Sequence, residues 1–80
     1  MQTKETMKDA VIFLEKEEDF FPKNLEVVFT KIKEYKKLPF HDVILKINIK
    51  YFVKFWEFFY KKNLNWKTTE INNDMILFKI

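Results

Sequence analysis

The stretch that decides the fold runs from residue 10 to residue 39 and reads AVIFLEKEEDFFPKNLEVVFTKIKEYKKLP. It opens with five apolar residues, most of them β-branched or aromatic. A short continuous run of this kind is typical of a strand that is covered on both faces. We therefore expect a central strand at residues 10–14, preceded by a flexible lead-in at residues 1–9.

Pro22 is placed where a helix can begin, because proline lacks the amide that would be unpaired in the first helical turn. The apolar residues that follow are spaced by three and four, which puts them on one helical face. They are Leu25, Val28, Phe29, Ile32, Tyr35 and Leu38. The pattern predicts a helix over residues 23–37, ended by Pro39.

The period of the pattern changes twice after Pro39. Residues 43–49 alternate between apolar and polar side chains, which predicts a strand with one wet face. From residue 51 the apolar residues return to helical spacing, which predicts a second helix over residues 51–62. In a chain without glycine, Asn63 is the natural end of that helix, since asparagine tolerates the left-handed conformation.

Residues 64–71 alternate again, and residues 75–80 form an apolar run, with a polar turn at residues 72–74. Two such segments around a polar turn predict a hairpin. The order is then βαβαββ. We expect one domain at residues 10–80, an α/β (α+β) two-layer sandwich with two helices on one face of a four-stranded mixed sheet.

The composition excludes most enzyme classes. The chain has no cysteine, which removes thiolate metal sites and cysteine nucleophiles, and no glycine, which removes phosphate-binding glycine loops. The lone histidine, His41, stands beside Asp42 but near no candidate nucleophile. We expect no enzymatic activity, no cofactor and no metal.

The charge pattern gives a second function to consider. All fifteen basic residues are lysines, and lysine lacks the planar fork with which arginine reads bases and clamps phosphates. Lys46, Lys50 and Lys54, with Trp66 or Tyr51 nearby, are candidates for a weak nucleic-acid-binding strip. Ordinary solvated lysines are the simpler interpretation, so a nucleic-acid partner is unlikely on the sequence.

The chain has no apolar stretch of the roughly 18–20 residues that a membrane span needs. Its first eight residues are polar, with no apolar segment of the signal-peptide type behind them. The sequence predicts a cytoplasmic protein with no membrane partner.

Two surfaces are candidates for binding another protein or a second copy of the chain. The first is Phe20, Phe21, Pro22 and Lys23, where two aromatic residues follow a run of acids. The second lies on the second helix, whose apolar arc of roughly 220° exceeds what packing on a sheet requires. The excess carries Tyr51 and Phe58, with Tyr60 on the other flank. In each case the alternative is that these residues belong to the core.

Pro22 opening a helix just after the first strand, a second strand, a helix with a central phenylalanine and a closing hairpin together resemble the TusA/SirA-like sulfur-carrier family, over residues 10–80. In that family a Cys-Pro-x-Pro motif lies where the first strand passes into the first helix. The positive end of the helix dipole there stabilises a thiolate or persulfide.

Placed on this sequence, the motif puts its cysteine on Phe21, its first proline on Pro22 and its second proline on Asn24. The resemblance therefore implies a degenerate member that has lost the carrier cysteine and its sulfur chemistry. We expect a regulatory or protein-binding domain. One competing fold stays open, in which residues 3–18 form a helix and the chain is a three-helix domain with a hairpin.

Overall fold

The computed structural model describes residues 8–40 and 42–80. Short 3₁₀ turns precede each helix, at Glu17–Phe20 and Ile49–Tyr51. The strands and helices in chain order are β1 (Ala10–Leu14), α1 (Pro22–Tyr35), β2 (Val43–Asn48), α2 (Phe52–Phe59), β3 (Thr68–Asn72) and β4 (Met75–Lys79).

The predicted fold class is confirmed: four strands form one mixed sheet, with two helices on one face, in the order βαβαββ. The strands lie in the order β1-β2-β4-β3. β1 and β2 are parallel, as a helical crossover requires, and the two remaining pairs are antiparallel. The three-helix alternative is excluded, since Ala10–Leu14 is a strand.

The prediction that residues 10–14 form a central strand covered on both faces is wrong. β1 lies at an edge of the sheet, and its side chains alternate between buried and exposed. Ala10, Ile12 and Leu14 face the helices, whereas Val11 and Phe13 lie on the uncovered face. The strand buried on both sides is β2, where Val43, Ile44 and Leu45 are all buried.

α1 begins at Pro22 as the sequence predicts and ends at Tyr35, two residues earlier than expected. Its buried side chains are Leu25, Val28 and Ile32, which are spaced by three and four and face the sheet. Lys36 and Lys37 lie in the turn beyond the helix.

α2 is shorter than the predicted 51–62, because Tyr51 belongs to a preceding 3₁₀ turn and the helix ends at Phe59. The side chain of Asn48 accepts a hydrogen bond from the Lys50 amide at 2.9 Å and so holds this turn. Asn63 is left-handed as expected (φ 52°), but the helix has already ended at Phe59. Its assignment as the helix cap is therefore wrong.

β3 covers Thr68–Asn72, so it begins four residues later and ends one residue later than the predicted 64–71. Leu64 and Trp66 lie in the preceding loop and pack against the core. The Trp66 ring lies 4.7 Å from that of Phe78 and 6.0 Å from that of Phe55, centroid to centroid. Trp66 therefore fills space under α2, and its alternation with polar neighbours is not a strand pattern.

The core lies between the sheet and the helix layer. Its largest fully buried side chains are Phe20, Phe55, Phe59, Leu14, Leu25, Ile32, Leu45 and Ile47. Phe55 stacks on Phe59 at 4.5 Å and on Phe78 at 5.6 Å, so aromatic contacts join α2 to β4. The two helices lie side by side on the sheet, and the candidate functional site lies between them.

Candidate functional site

A groove of about 410 Å³ opens between the start of α1 and the flank of α2. Most of its lining is apolar, and its two charged residues come from α2. The residues that line it are Phe20, Phe21, Pro22, Leu25, Lys54, Glu57 and Phe58.

The Glu17–Phe20 turn directs two adjacent phenylalanines to different places. The carboxylate of Asp19 accepts hydrogen bonds from the amides of Glu15 and Lys16, at 3.0 and 2.9 Å, and closes the turn. At the end of this turn Phe20 is buried, with 2% of its surface exposed, and Phe21 is 50% exposed. One ring therefore forms the floor of the groove and the next stands at its mouth.

The start of α1 is closed by main-chain contacts. The carbonyl of Phe21 accepts hydrogen bonds from the amides of Asn24 and Leu25, both at 2.9 Å. Pro22, the first helical residue, has no amide to satisfy. The Asn24 side chain donates to the carbonyl of Glu18 at 2.6 Å, which ties the helix to the turn. The Phe21 side chain is thus presented by a fixed backbone.

The α2 wall carries Phe58, which is half-buried, and the charged Lys54 and Glu57. The Lys54 ammonium lies 3.4 Å from the carboxylate of Glu17, so an ion pair links α2 to the turn before α1. Both side chains are largely exposed, and such a pair contributes little to stability. The ion pair places one positive and one negative group beside each other at the rim of the groove.

The structure brings together most of the residues predicted for a protein-binding surface. Phe20, Phe21, Pro22 and Phe58 line one groove, and the Tyr51 ring lies 5.3 Å from that of Phe20 beside it. Lys23 is exposed on the first turn of α1 and is not part of the lining.

Three lining residues were not singled out for this surface from the sequence: Leu25, Lys54 and Glu57. Leu25 was assigned to the core by its helical spacing, and it is buried directly beneath the groove. Lys54 and Glu57 lie four and one residues before Phe58. The four-residue spacing places Lys54 beside Phe58 on the helix surface, and Glu57, three residues after Lys54, lies beside Lys54.

The residues proposed for nucleic-acid binding do not form one strip. Lys46 lies on the uncovered face of the sheet, 5.3 Å above the Phe13 ring, whereas Trp66 packs on the helix side. Lys50 lies over the Tyr51 ring, and Lys54 pairs with Glu17. Lys46 and Trp66 therefore lie on opposite faces of the sheet.

The groove is lined mainly by apolar side chains. Its lining offers rings, aliphatic groups, one ammonium and one carboxylate. His41 lies outside the described residues, and Asp42 is bonded to the Lys67 ammonium at 3.0 Å. No group of three or more potential metal ligands occurs within residues 8–40 and 42–80.

Comparison of the chain with protein-family models, curated proteins and solved structures gives no match. The resemblance to the sulfur-carrier family therefore stays a prediction from the sequence. Among the helices that the structure describes, none has the length and hydropathy to cross a membrane.

Proposed function

We propose that this chain is a non-enzymatic domain that binds another protein, and that its groove receives an apolar side chain of the partner. The observation that carries the proposal is the Phe21 ring, held half-exposed at the mouth of an apolar groove by a hydrogen-bonded turn. A cytoplasmic location and a regulatory role are part of the proposal, as is descent from a sulfur carrier without the cysteine.

The groove has the features of an anchor pocket in a protein interface. Binding energy at interfaces is concentrated in a few aromatic or aliphatic residues that enter a desolvated pocket. Phe20 is fixed in the floor and Phe58 in the wall, so ordering the pocket costs little entropy on binding. Polar groups in the lining are confined to side chains from one wall, which leaves few directional contacts for a small polar ligand.

The charged side chains beside the groove indicate which residue types the partner segment carries. Glu18 and Glu57 are exposed and form no ion pair with the described residues, whereas Lys54 is paired with Glu17. The carboxylate of Glu57 belongs to the groove lining itself. This favours a partner segment in which the apolar side chain is followed or preceded by lysine or arginine.

The experiment is a panning of a displayed peptide library on the whole chain, followed by titration of an enriched peptide. We expect enrichment of an aromatic or large aliphatic residue next to a basic one, and amide shift changes at Phe21, Leu25 and Phe58. Phe21→Ala should weaken binding at least about tenfold, which is a loss of about 1.4 kcal/mol.

Phe13→Ala is the matched control, because Phe13 is 52% exposed and lies on the opposite face of the sheet. It removes the same ring at the same exposure and should leave the dissociation constant unchanged. An equal loss of affinity in both variants, or amide shift changes at residues outside the groove, would contradict the proposal.

A further inference from the structure

A lysine just beyond the end of α2 lies against the ring that forms the α2 wall of the groove. Lys62 is in the turn that follows Phe59, and its amide donates to the Phe59 carbonyl at 2.9 Å. Its ammonium lies 4.7 Å from the centre of the Phe58 ring. Phe58 and Lys62 are four residues apart, the spacing at which side chains of successive helical turns meet. The lysine side chain therefore turns back over the last turn of α2.

The same ammonium also contacts α1. It lies 5.0 Å from the centre of the Phe29 ring and 3.6 Å from the carboxylate of Glu26. Glu26 and Phe29 are three residues apart in α1, so they are neighbours on one side of that helix. Lys62 is thus a single cation that joins the two helices and lies close to an aromatic ring from each.

The rings contribute more than the carboxylate to the position of Lys62. The Glu26 side chain is 60% exposed, and an ion pair with such a group contributes little. The Lys62 side chain is only 27% exposed, compared with 48% for Lys54 and 59% for Lys67, which also form ion pairs. A cation is attracted to an aromatic ring more strongly when water is partly excluded. The cation–π contacts therefore give the larger share of the attraction.

The Phe58 ring lies between Lys62 and the core. It meets the ring of Phe59 edge to face at 5.1 Å, and Phe59 is fully buried. Phe59 in turn lies 6.0 Å from Phe29, so the three rings and the ammonium form one cluster. Phe58 itself is only partly buried, and a partly buried side chain keeps rotamer freedom that a further contact reduces. Lys62 supplies such a contact.

We propose that Lys62 is a positioning residue for the groove, whose ammonium holds the Phe58 ring in the wall that a partner's apolar side chain contacts. This inference rests on the binding function proposed above. Lys62 is not among the residues that line the groove, so a side chain seated there contacts Phe58 and not the lysine. The lysine acts on affinity through the ring, because a wall that is already ordered loses less entropy on binding.

NMR of the chain without any partner tests the position of Lys62. Ring currents from Phe29 and Phe58 should move the ε-methylene protons of Lys62 upfield of their random-coil position. Nuclear Overhauser effects between the rings of Phe58 and Phe59 should weaken in Lys62→Met, which keeps an unbranched side chain and removes the charge. Lys62→Arg keeps a cation that stacks on aromatic rings and should restore them.

The affinity for a peptide enriched on the chain is the second measurement. Lys62→Met should raise the dissociation constant about fivefold, and Lys62→Arg should stay within about twofold of the original. Lys33→Met is the matched control, since the Lys33 ammonium lies 5.3 Å from the centre of the Phe29 ring. It removes the same charge from the same cluster, leaves the contact of Lys62 with Phe58 in place, and should leave the dissociation constant unchanged.

The two measurements separate a failure of this inference from a failure of the proposed function. A chain that enriches no peptide would contradict the binding function, and the NMR of the free chain would still decide whether Lys62 holds Phe58. Three results would each overturn the role of Lys62. They are ε-methylene protons at their random-coil position, ring contacts of Phe58 that are unchanged in Lys62→Met, and equal losses of affinity in Lys62→Met and Lys33→Met.

Discussion

The ring of Phe20 lies 5.3 Å from the ring of Tyr51, and this contact joins the turn after β1 to the turn after β2. Both strands are parallel, so both turns leave the same end of the sheet. The groove is built at this end, and its floor depends on the packing of Phe20.

Phe20→Ala should destabilise the fold by about 3–5 kcal/mol, because it removes a fully buried ring and leaves a cavity. A chain of this size has a free energy of unfolding of about 5 kcal/mol, so most of that stability would be lost. Urea unfolding followed by circular dichroism measures the change.

Phe21→Ala is the control for that measurement, since the neighbouring ring is half exposed. We expect a change within about 1 kcal/mol. Equal losses of stability in Phe20→Ala and Phe21→Ala would contradict the burial of Phe20 and the exposure of Phe21.

Asn48→Ala should loosen the same end of the sheet. The Asn48 side chain donates to the carbonyl of Glu15 at 3.1 Å and accepts from the Lys50 amide at 2.9 Å, so one residue ties both turns together. Losing two hydrogen bonds should cost about 1–3 kcal/mol in the free energy of unfolding. Asn72→Ala, at an exposed position of β3, should cost under about 0.5 kcal/mol. Equal losses at the two positions would refute the role of Asn48.

Asn73→Gly should leave the protein as stable as before or slightly more stable. Asn73 has φ 58° in the β3–β4 turn, a conformation in which glycine avoids the steric cost of a side chain. Asn73→Ala should instead cost about 1–2 kcal/mol. Thermal unfolding measures both.

A glycine substitution one residue earlier, at Asn72, should instead destabilise the protein. Asn72 is the last residue of β3, and Asn72→Gly should cost about 0.5–1 kcal/mol in strand stability. A destabilising Asn73→Gly, or a neutral Asn72→Gly, would contradict the turn as described.

A labelled single-stranded oligonucleotide should show no saturable binding to the chain in fluorescence anisotropy, even at low salt. The reason is that Lys46 and Trp66 lie on opposite sides of the sheet and cannot contact one strand together, while Lys54 is paired with Glu17. Binding that falls steeply with salt and is weakened by both Lys46→Gln and Lys54→Gln would favour the competing function.

The sequence predicts the element order well because each element carries its own local signal. Pro22 marks the start of α1, and the spacing of Leu25, Val28 and Ile32 sets its buried face. The position of β1 in the sheet carries no such signal. Val11 and Phe13 are apolar but lie on the uncovered face, and only the pairing with β2 shows this.

The sequence predicts four residues of the groove lining, Phe20, Phe21, Pro22 and Phe58, but not the geometry of the groove. Phe20 and Phe21 are adjacent residues of the same type, so residue type alone does not predict which of the two is buried. In the structure Phe20 packs against Tyr51, a residue distant from it in the sequence, and no local pattern predicts that contact. Trp66 shows the reverse case, since its alternation predicts a strand while its ring fills the space between Phe55 and Phe78.

The hydrogen bond from the Ala10 amide to the carbonyl of Asp42, at 2.8 Å, fixes which way each peptide group of β1 points. The amides of Ile12 and Leu14 then face β2, and those of Val11 and Phe13 face the outer edge. Deuterium uptake along this strand should therefore alternate from one residue to the next, slow toward β2 and fast toward the edge.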